Sequence, residues 1–317
     1  MPRTKVFITG ATGFVGRHLM NALHSSNYVL SGTSYPDPPH PSEKHIFFLD
    51  LRSEREVYET LKSVRPQWIF HLAAVSNVRH SWEKRRETME TNIMGTFTLF
   101  EAAKKFAPGA RILYISSSDV YGIPADEESG ERRRFLEDDP FHVASPYAVS
   151  KIGGELLAGF YCRVEGLDIV IVRPFPHTGP GQSPEFVCSD WARQVIQIER
   201  GRAEPALRVG NLDIRRDFCD VRDTVRAYVL LMQKGRRGEI YNVCRGEGTL
   251  LRRIVEIYLS LTAKAITIEQ DPARLRKVDI PFLVGDNGKL RKETSWEPQI
   301  PLERTLRDLL DYWRARP

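Results

Sequence analysis

The sequence predicts an α/β chain built on a doubly wound parallel sheet, with a smaller, partly interleaved α/β lobe. Three observations predict it. Short apolar runs alternate with helical patterns through residue 173. The first run passes through a glycine-rich turn straight into a helix. After Pro174 the texture changes to Pro- and Gly-rich loop and then to longer helices.

The elements follow in order. KVFI is a strand, TGATGFVG a turn and RHLMNALHSS a helix. YVLSGTS is a second strand, PDPPHP a stiff exposed loop and HIFFLDL a third strand. SEREVYETLKSV reads as a helix, with Ser53 as its cap and Glu56 three residues on. QWIFHLAA is a strand, residues 83–106 one long helix and ARILYISSS another strand. A helix then starts at Ser145, where Ser145 caps it and Pro146 suits its first turn. DIVIVRP is a further strand. Beyond the FPHTGPGQSP loop come the helix FVCSDWARQVIQIERG, the strand-like EIYNV, and the helices LLRRIVEIYLSL and LERTLRDLLDYWRA. We divide the chain into a dinucleotide-binding part, residues 1–173 plus about 218–245, and a substrate lobe, about 174–217 plus 246–317.

The chain has 317 residues, 41% of them hydrophobic and 27% charged, enough for a large buried core. No apolar run approaches a membrane span, and MPRTKVFITG has no signal-peptide core, so we expect a cytoplasmic protein with no membrane partner. The net charge is +5, but the basic residues are scattered, which argues against nucleic acid and suits a phosphate-bearing small ligand. Cys162, Cys188, Cys219 and Cys244 have no metal-ligand spacing, and no metal site is expected.

Gly10, Gly13 and Gly16 in TGATGFVG carry the first chemical signal. They sit between a strand and a helix, where glycines permit a tight turn and the helix N-terminus attracts a pyrophosphate. This predicts dinucleotide binding on a Rossmann sheet, with Thr12, Phe14 and Val15 lining the turn. An acidic residue at the end of the second strand would bind a ribose 2′-hydroxyl and repel a 2′-phosphate. That place falls at Thr33, with no Asp there and no Arg beside it, so the reading leans to NADPH and leaves NADH open.

The second signal is SPYAVSK. Tyr147 and Lys151 are four apart and share one helix face. A cation beside a phenol favours the phenolate and lowers its pKa, which suits proton exchange with an alkoxide. A second copy, Tyr58 and Lys62, has the same spacing. The pattern alone therefore does not choose between them.

TGATGFVG, HLAA at 71–74, Asn92 in TNIMGT, ISSSDVYG at 115–122 and YAVSK together resemble the extended short-chain dehydrogenase/reductase family over essentially the whole chain. The resemblance implies that Tyr147 and Lys151 are catalytic and that Tyr58 and Lys62 come too early. It implies that Ser117 is the catalytic hydroxyl and that Lys151 holds the nicotinamide ribose. Asp50 and Leu51 would lie along the adenine. Leu72, Ala73, Ala74, Asn92 and Pro174 would complete the cofactor site. VRPFPHTGPGQSPEFV, VGNLDIRRDFCDVRD and LRKVDIPFLVGD are most similar to the GDP-6-deoxy-4-keto-mannose reductases of the sugar-nucleotide branch. By that resemblance, Ser76, Ser118, Asp119 and His177 face the substrate, while Arg216 and Arg276 hold its diphosphate through bidentate contacts.

Two departures stand out. Pro176 replaces an Asn common in that branch, which removes a side-chain hydrogen bond. Ser117 and Asp119 stand where the mannose dehydratases are expected to carry Thr and Glu, and the shorter carboxylate argues against dehydration. The expected activity is NAD(P)H-dependent reduction of the C4 ketone of GDP-4-keto-6-deoxy-mannose, to GDP-D-rhamnose or its C4 epimer. A 4,6-dehydratase or C4 epimerase is the alternative. The resemblance further implies a homodimer formed by the helices around 84–106 and 147–163.

Overall fold

The computed structural model describes residues 3–24, 27–123, 133–275 and 278–317. Strands β1 (Thr4–Thr9), β2 (Tyr28–Ser34), β3 (Ile46–Phe48), β4 (Trp68–His71), β5 (Arg111–Ile115), β6 (Asp168–Pro174) and β7 (Ile240–Val243) form one seven-stranded sheet in the order β3-β2-β1-β4-β5-β6-β7. Every neighbouring pair is parallel. The order reverses between β1 and β4, and ligands of such sheets bind at that reversal, beyond the strands' carboxyl ends.

The register explains the apolar strands. Phe7, Ile69, Ile112 and Ile169 are successive neighbours on one face, and Ile8, Phe70, Leu113 and Val170 on the other. Both rows are buried, because helices cover both faces. Helices α1 (Phe14–Ala22), α2 (Glu54–Val64), α3 (Gly95–Phe106), α4 (Pro146–Arg163), α5 (Val187–Glu199), α6 (Val221–Lys234), α7 (Leu251–Ser260) and α8 (Leu302–Arg314) follow in chain order. Leu19 of α1 and Tyr228 of α6 pack on one face, and Val57, Phe100 and Tyr161 of α2, α3 and α4 on the other. A separate apolar cluster joins α5, α7 and α8 through Trp191, Tyr258 and Leu306. Truncating one such buried side chain costs roughly 2–5 kcal/mol. Among the described residues no helix is long and apolar enough to cross a membrane.

Residues 83–106 do not form the single helix that the sequence predicts. Helix Val78–Glu83 ends at Lys84 (φ −118°, ψ 53°), Arg85–Met89 resumes it, and Glu90–Met94 is a π-helical turn that runs into α3. The π-helical turn holds Asn92. Its amide accepts from Val75 N (2.8 Å) and donates to Val75 O (3.1 Å) and Ser150 Oγ (2.9 Å). The wider turn accompanies these contacts, and such bulges are frequent at functional sites. HIFFLDL, QWIFHLAA and ARILYISSS also yield shorter strands, ending at Phe48, His71 and Ile115. In each, the last predicted residues leave the sheet at its carboxyl edge.

Candidate active site

The glycine turn is shaped by contact. Gly10 has φ +70°, and a side chain there would meet the Ala73 backbone at 3.1 Å. A side chain at Gly16 would overlap the Gly10 carbonyl. Gly13 N donates to Gly10 O (3.1 Å), which closes the turn before α1. Thr12, Phe14 and Val15 stay half-buried along it. Backbone this close and uncluttered fits a dinucleotide pyrophosphate.

A chain of hydrogen bonds ties β4 to that turn. Thr96 Oγ1 donates to Asn92 O (2.6 Å), so it accepts from His71 Nε2 (2.9 Å). His71 Nδ1 then accepts from Thr9 Oγ1 (2.8 Å), whose oxygen accepts from Ala73 N (3.1 Å). Burial holds the His71 pKa at about 3, with the Lys151 charge adding to the effect, so the ring is neutral as this chain requires. Leu72, Ala73 and Ala74 are thereby held beside Gly10. Thr33 is more deeply engaged than the sequence suggests. Its hydroxyl accepts from Gly10 N (3.0 Å) and its carbonyl from Ala11 N (2.8 Å), so it braces the turn, and the next residues end β2.

Ser117, Tyr147 and Lys151 converge past the end of β5, at 6%, 7% and 5% exposure. Ser145 caps α4 by accepting from Ala148 N (3.1 Å), and Pro146 occupies its first turn. Lys151 Nζ donates to Ile115 O (2.8 Å) and lies between two rings, 5.6 Å from the centroid of Tyr114 and 5.9 Å from that of Tyr147. Ser117 Oγ donates to Asp119 Oδ2 (3.0 Å) and accepts from Asp119 N (3.1 Å). Burial lowers the Lys151 pKa to about 8, against an opposing pull from Glu155. Burial also raises the Tyr147 pKa, Asp119 adds to that, and Ser117 opposes it. This is the opposite of the lowered phenol pKa expected from the sequence: burial, reinforced by the Asp119 carboxylate, raises it, and Tyr147 rests protonated.

Two further groups have no simple sequence signature. Glu155, one turn beyond Lys151, pairs with Arg173 of β6 through Nε (2.9 Å) and Nη2 (2.8 Å), both residues almost fully buried. Ser116 also donates to Glu155. The only sequence mark was a Glu four residues past Lys151. The other group is Arg52. Its guanidinium grips Asp50 through Nε (3.0 Å) and Nη2 (2.6 Å) and donates to Tyr35 Oη (2.9 Å). Burial raises the Asp50 pKa, but Arg52 outweighs it and holds the carboxyl below its usual range. Leu51 beside it is buried.

The expected substrate residues are placed less uniformly. Ser118 is buried in the turn Ser118–Tyr121, and Ser76 is exposed after β4. His177 stacks on Phe14 of the glycine turn (centroids 6.2 Å, 9°) and bonds the Phe175 carbonyl (3.0 Å). It thus lies against the glycine turn. Pro174 is buried at the end of β6, and the Pro176 carbonyl accepts from Cys219 N (2.9 Å). Arg216 is buried, and its Nη1 donates to the carbonyls of Arg215 and Ile280. Arg276 lies outside the described residues.

Residues 7–309 match the model of the GDP-mannose 4,6 dehydratase family. The chain belongs to that family. As a member it is 33% identical over 312 residues to a GDP-6-deoxy-D-mannose reductase of Pseudomonas aeruginosa, covering 98% of both chains. A solved structure of RMD from Pseudomonas aeruginosa complexed with NADPH superposes with a TM-score of 0.87 at 32% identity, covering 99% of this family member and 100% of that chain. A UDP-glucose 4-epimerase of Thermus thermophilus in complex with NAD gives 0.88 at 25% identity, covering 99% and 100%. The glycine turn, free of side chains where a pyrophosphate would lie, fits such a cofactor in this chain too.

Proposed function

We propose that this chain reduces the C4 ketone of GDP-4-keto-6-deoxy-mannose with NADPH, giving GDP-D-rhamnose or its C4 epimer. The observation that carries the reading is the convergence of Tyr147, Ser117 and Lys151 beyond β5, at the carboxyl edge of the sheet where the glycine turn also lies. The whole-length similarity to a GDP-6-deoxy-D-mannose reductase supports the choice of substrate. In this reading the sheet with α1–α4 and α6 holds the cofactor. The lobe with α5, α7, α8 and Arg216 holds the nucleotide diphosphate.

Bound NADPH supplies the hydride that C4 receives. Tyr147 gives its proton to O4 as negative charge develops there, so the carbonyl gains one hydride and one proton. A raised phenol pKa suits this direction, because the acid is loaded before each turnover. Ser117 donates to the same oxygen when its hydroxyl turns from Asp119 Oδ2 toward O4. The Lys151 ammonium, seated between the rings of Tyr114 and Tyr147, stabilises the phenolate left behind.

A second reading, 4,6-dehydration, draws on the Asp119 carboxylate beside Ser117. That carboxylate already accepts the Ser117 hydroxyl and is one methylene shorter than a Glu, which favours the reductase.

The apolar outer faces of α3 and α4 support a homodimer. Val149, Leu156, Phe160 and Val164 form one exposed stripe on α4 and just beyond it, and Met94 and Phe97 stand exposed at the start of α3.

Loss of NADPH absorbance in the near ultraviolet tests the activity. Oxidation should appear when a separate dehydratase makes the keto sugar in place, and not with GDP-mannose alone. Conversion of GDP-mannose to a keto sugar without added NADPH would instead establish the dehydratase.

A further inference from the structure

The end of β2 has an unusual composition. Thr33, Ser34 and Tyr35 stand there, with no carboxylate to receive a ribose 2′-hydroxyl. The Thr33 hydroxyl is taken by Gly10. The Ser34 hydroxyl is buried and, among the described residues, has no hydrogen-bond partner. An orphan hydroxyl in a native interior calls for an explanation.

A cation reaches the neighbouring Tyr35 from elsewhere in the chain. Because β3 pairs with β2, with Ser34 beside Phe48, the loop after β3 runs past the end of β2. Arg52 in that loop lies over the Tyr35 ring (5.6 Å to the centroid) and bonds its hydroxyl. Nε and Nη2 are occupied by Asp50 and Tyr35, while Nη1 has no partner among the described residues. The side chain keeps 34% exposure. A guanidinium fixed on one edge and open on the other loses little freedom when it binds an anion.

We propose that Arg52 seats the 2′-phosphate that distinguishes NADPH from NADH, and that Asp50 aims Arg52 for that task. The inference rests on the reading that the glycine turn holds a nicotinamide dinucleotide. Charge-assisted bonds from Arg to a phosphate are short, directional and about twice as strong as neutral ones. Asp50 would oppose a 2′-phosphate if it stood alone. Paired with Arg52 it is neutralised. The selection therefore has two halves: Arg52 attracts the phosphate and also cancels the Asp50 carboxylate that would repel it.

Titration calorimetry with two probes separates the possibilities: adenosine 2′,5′-bisphosphate, and adenosine 5′-monophosphate, which lacks the 2′-phosphate. The wild-type chain should bind the bisphosphate more tightly. Arg52→Ala should weaken the bisphosphate by about 10- to 100-fold and leave the monophosphate within about 2-fold. Arg52→Lys, which keeps the charge without the fork, should fall between. Circular dichroism confirms that each variant is folded, and the Lys variant serves if the Ala variant is not. Equal weakening of both probes, or of neither, overturns the assignment. A wild-type chain that binds neither probe overturns the dinucleotide reading and the assignment with it.

Discussion

Tyr58–Lys62 and Tyr147–Lys151 share one spacing and both lie in helices that cover the same face of the sheet. Their surroundings differ completely. Tyr58 is half-buried at the edge, its ring against Phe106 (5.6 Å), with Lys105 over the face (5.3 Å), and Lys62 is exposed. Tyr147 and Lys151 are buried and lie at the carboxyl edge of the sheet, where Ser117 and the glycine turn also end. Glu155 and Arg173 form a closed ion pair one turn further on. Spacing alone makes a helix face. Burial at the carboxyl edge of β5 is what singles out that face as the proposed reaction site.

The largest expected break is Tyr147→Phe. Without its proton donor, kcat for the keto sugar should fall by about 10²- to 10⁴-fold while NADPH binding, followed by fluorescence, stays intact. Tyr58→Phe should leave kcat within about 2-fold. A fully active Tyr147→Phe enzyme would end the proposed mechanism.

The lysines should separate next. Lys151→Met should lower kcat/KM by about 10- to 100-fold, the worth of one charged interaction in the transition state, and Lys62→Met should not. The pH profile sharpens this. Lys151 titrates near pH 8 in the folded chain, against 10.5 for the ordinary side chain, so kcat/KM should decline as pH rises through about 8. The stability sign follows from proton counting. Between about pH 8 and 10.5 the unfolded chain binds the proton that the folded chain has lost, so stability from this group rises with pH. Below pH 8 the folded chain carries a buried cation at full cost. Lys151→Met should therefore melt higher than wild type at pH 7 in scanning calorimetry, and a lower melting temperature would contradict the burial cost.

The smallest effect on turnover is expected from the outer faces. That of α2 carries Glu54, Arg55, Glu59 and Lys62, whereas that of α4 carries Val149, Leu156 and Phe160. Leu156→Glu with Phe160→Glu should convert a dimer to a folded monomer by light scattering. A wild-type chain that already has monomeric mass would remove the dimer.

Much of this was legible in the sequence for physical reasons. Gly10, Gly13 and Gly16 lie within one turn, and Tyr147 and Lys151 within one helix, so local spacing places each set. The parallel strands are legible because burial on both faces makes them continuously apolar. Arg52 was not legible. It meets Tyr35 only because β3 lies beside β2, and the sequence distance conceals that. Nor was the π-turn, because Asn92 finds Val75 and Ser150 across the fold. The state of Tyr147 escaped for a third reason: spacing reveals a neighbouring Lys151 but not the burial that raises the phenol pKa.

Gly154 has a consequence beyond its packing. It faces the Tyr114 hydroxyl so closely that a methyl group there would overlap it, and that hydroxyl bonds the Lys151 carbonyl (3.4 Å). Helix and sheet thus meet with no clearance, three residues from Lys151 and seven from Tyr147. Such a fit acts as a mechanical stop: it sets how high α4 rides above β5, and Tyr147 and Lys151 inherit that height. Even a small lift would misalign them together. A methyl group added at Gly154 would thus register in an assay as a catalytic defect although every reacting group is present.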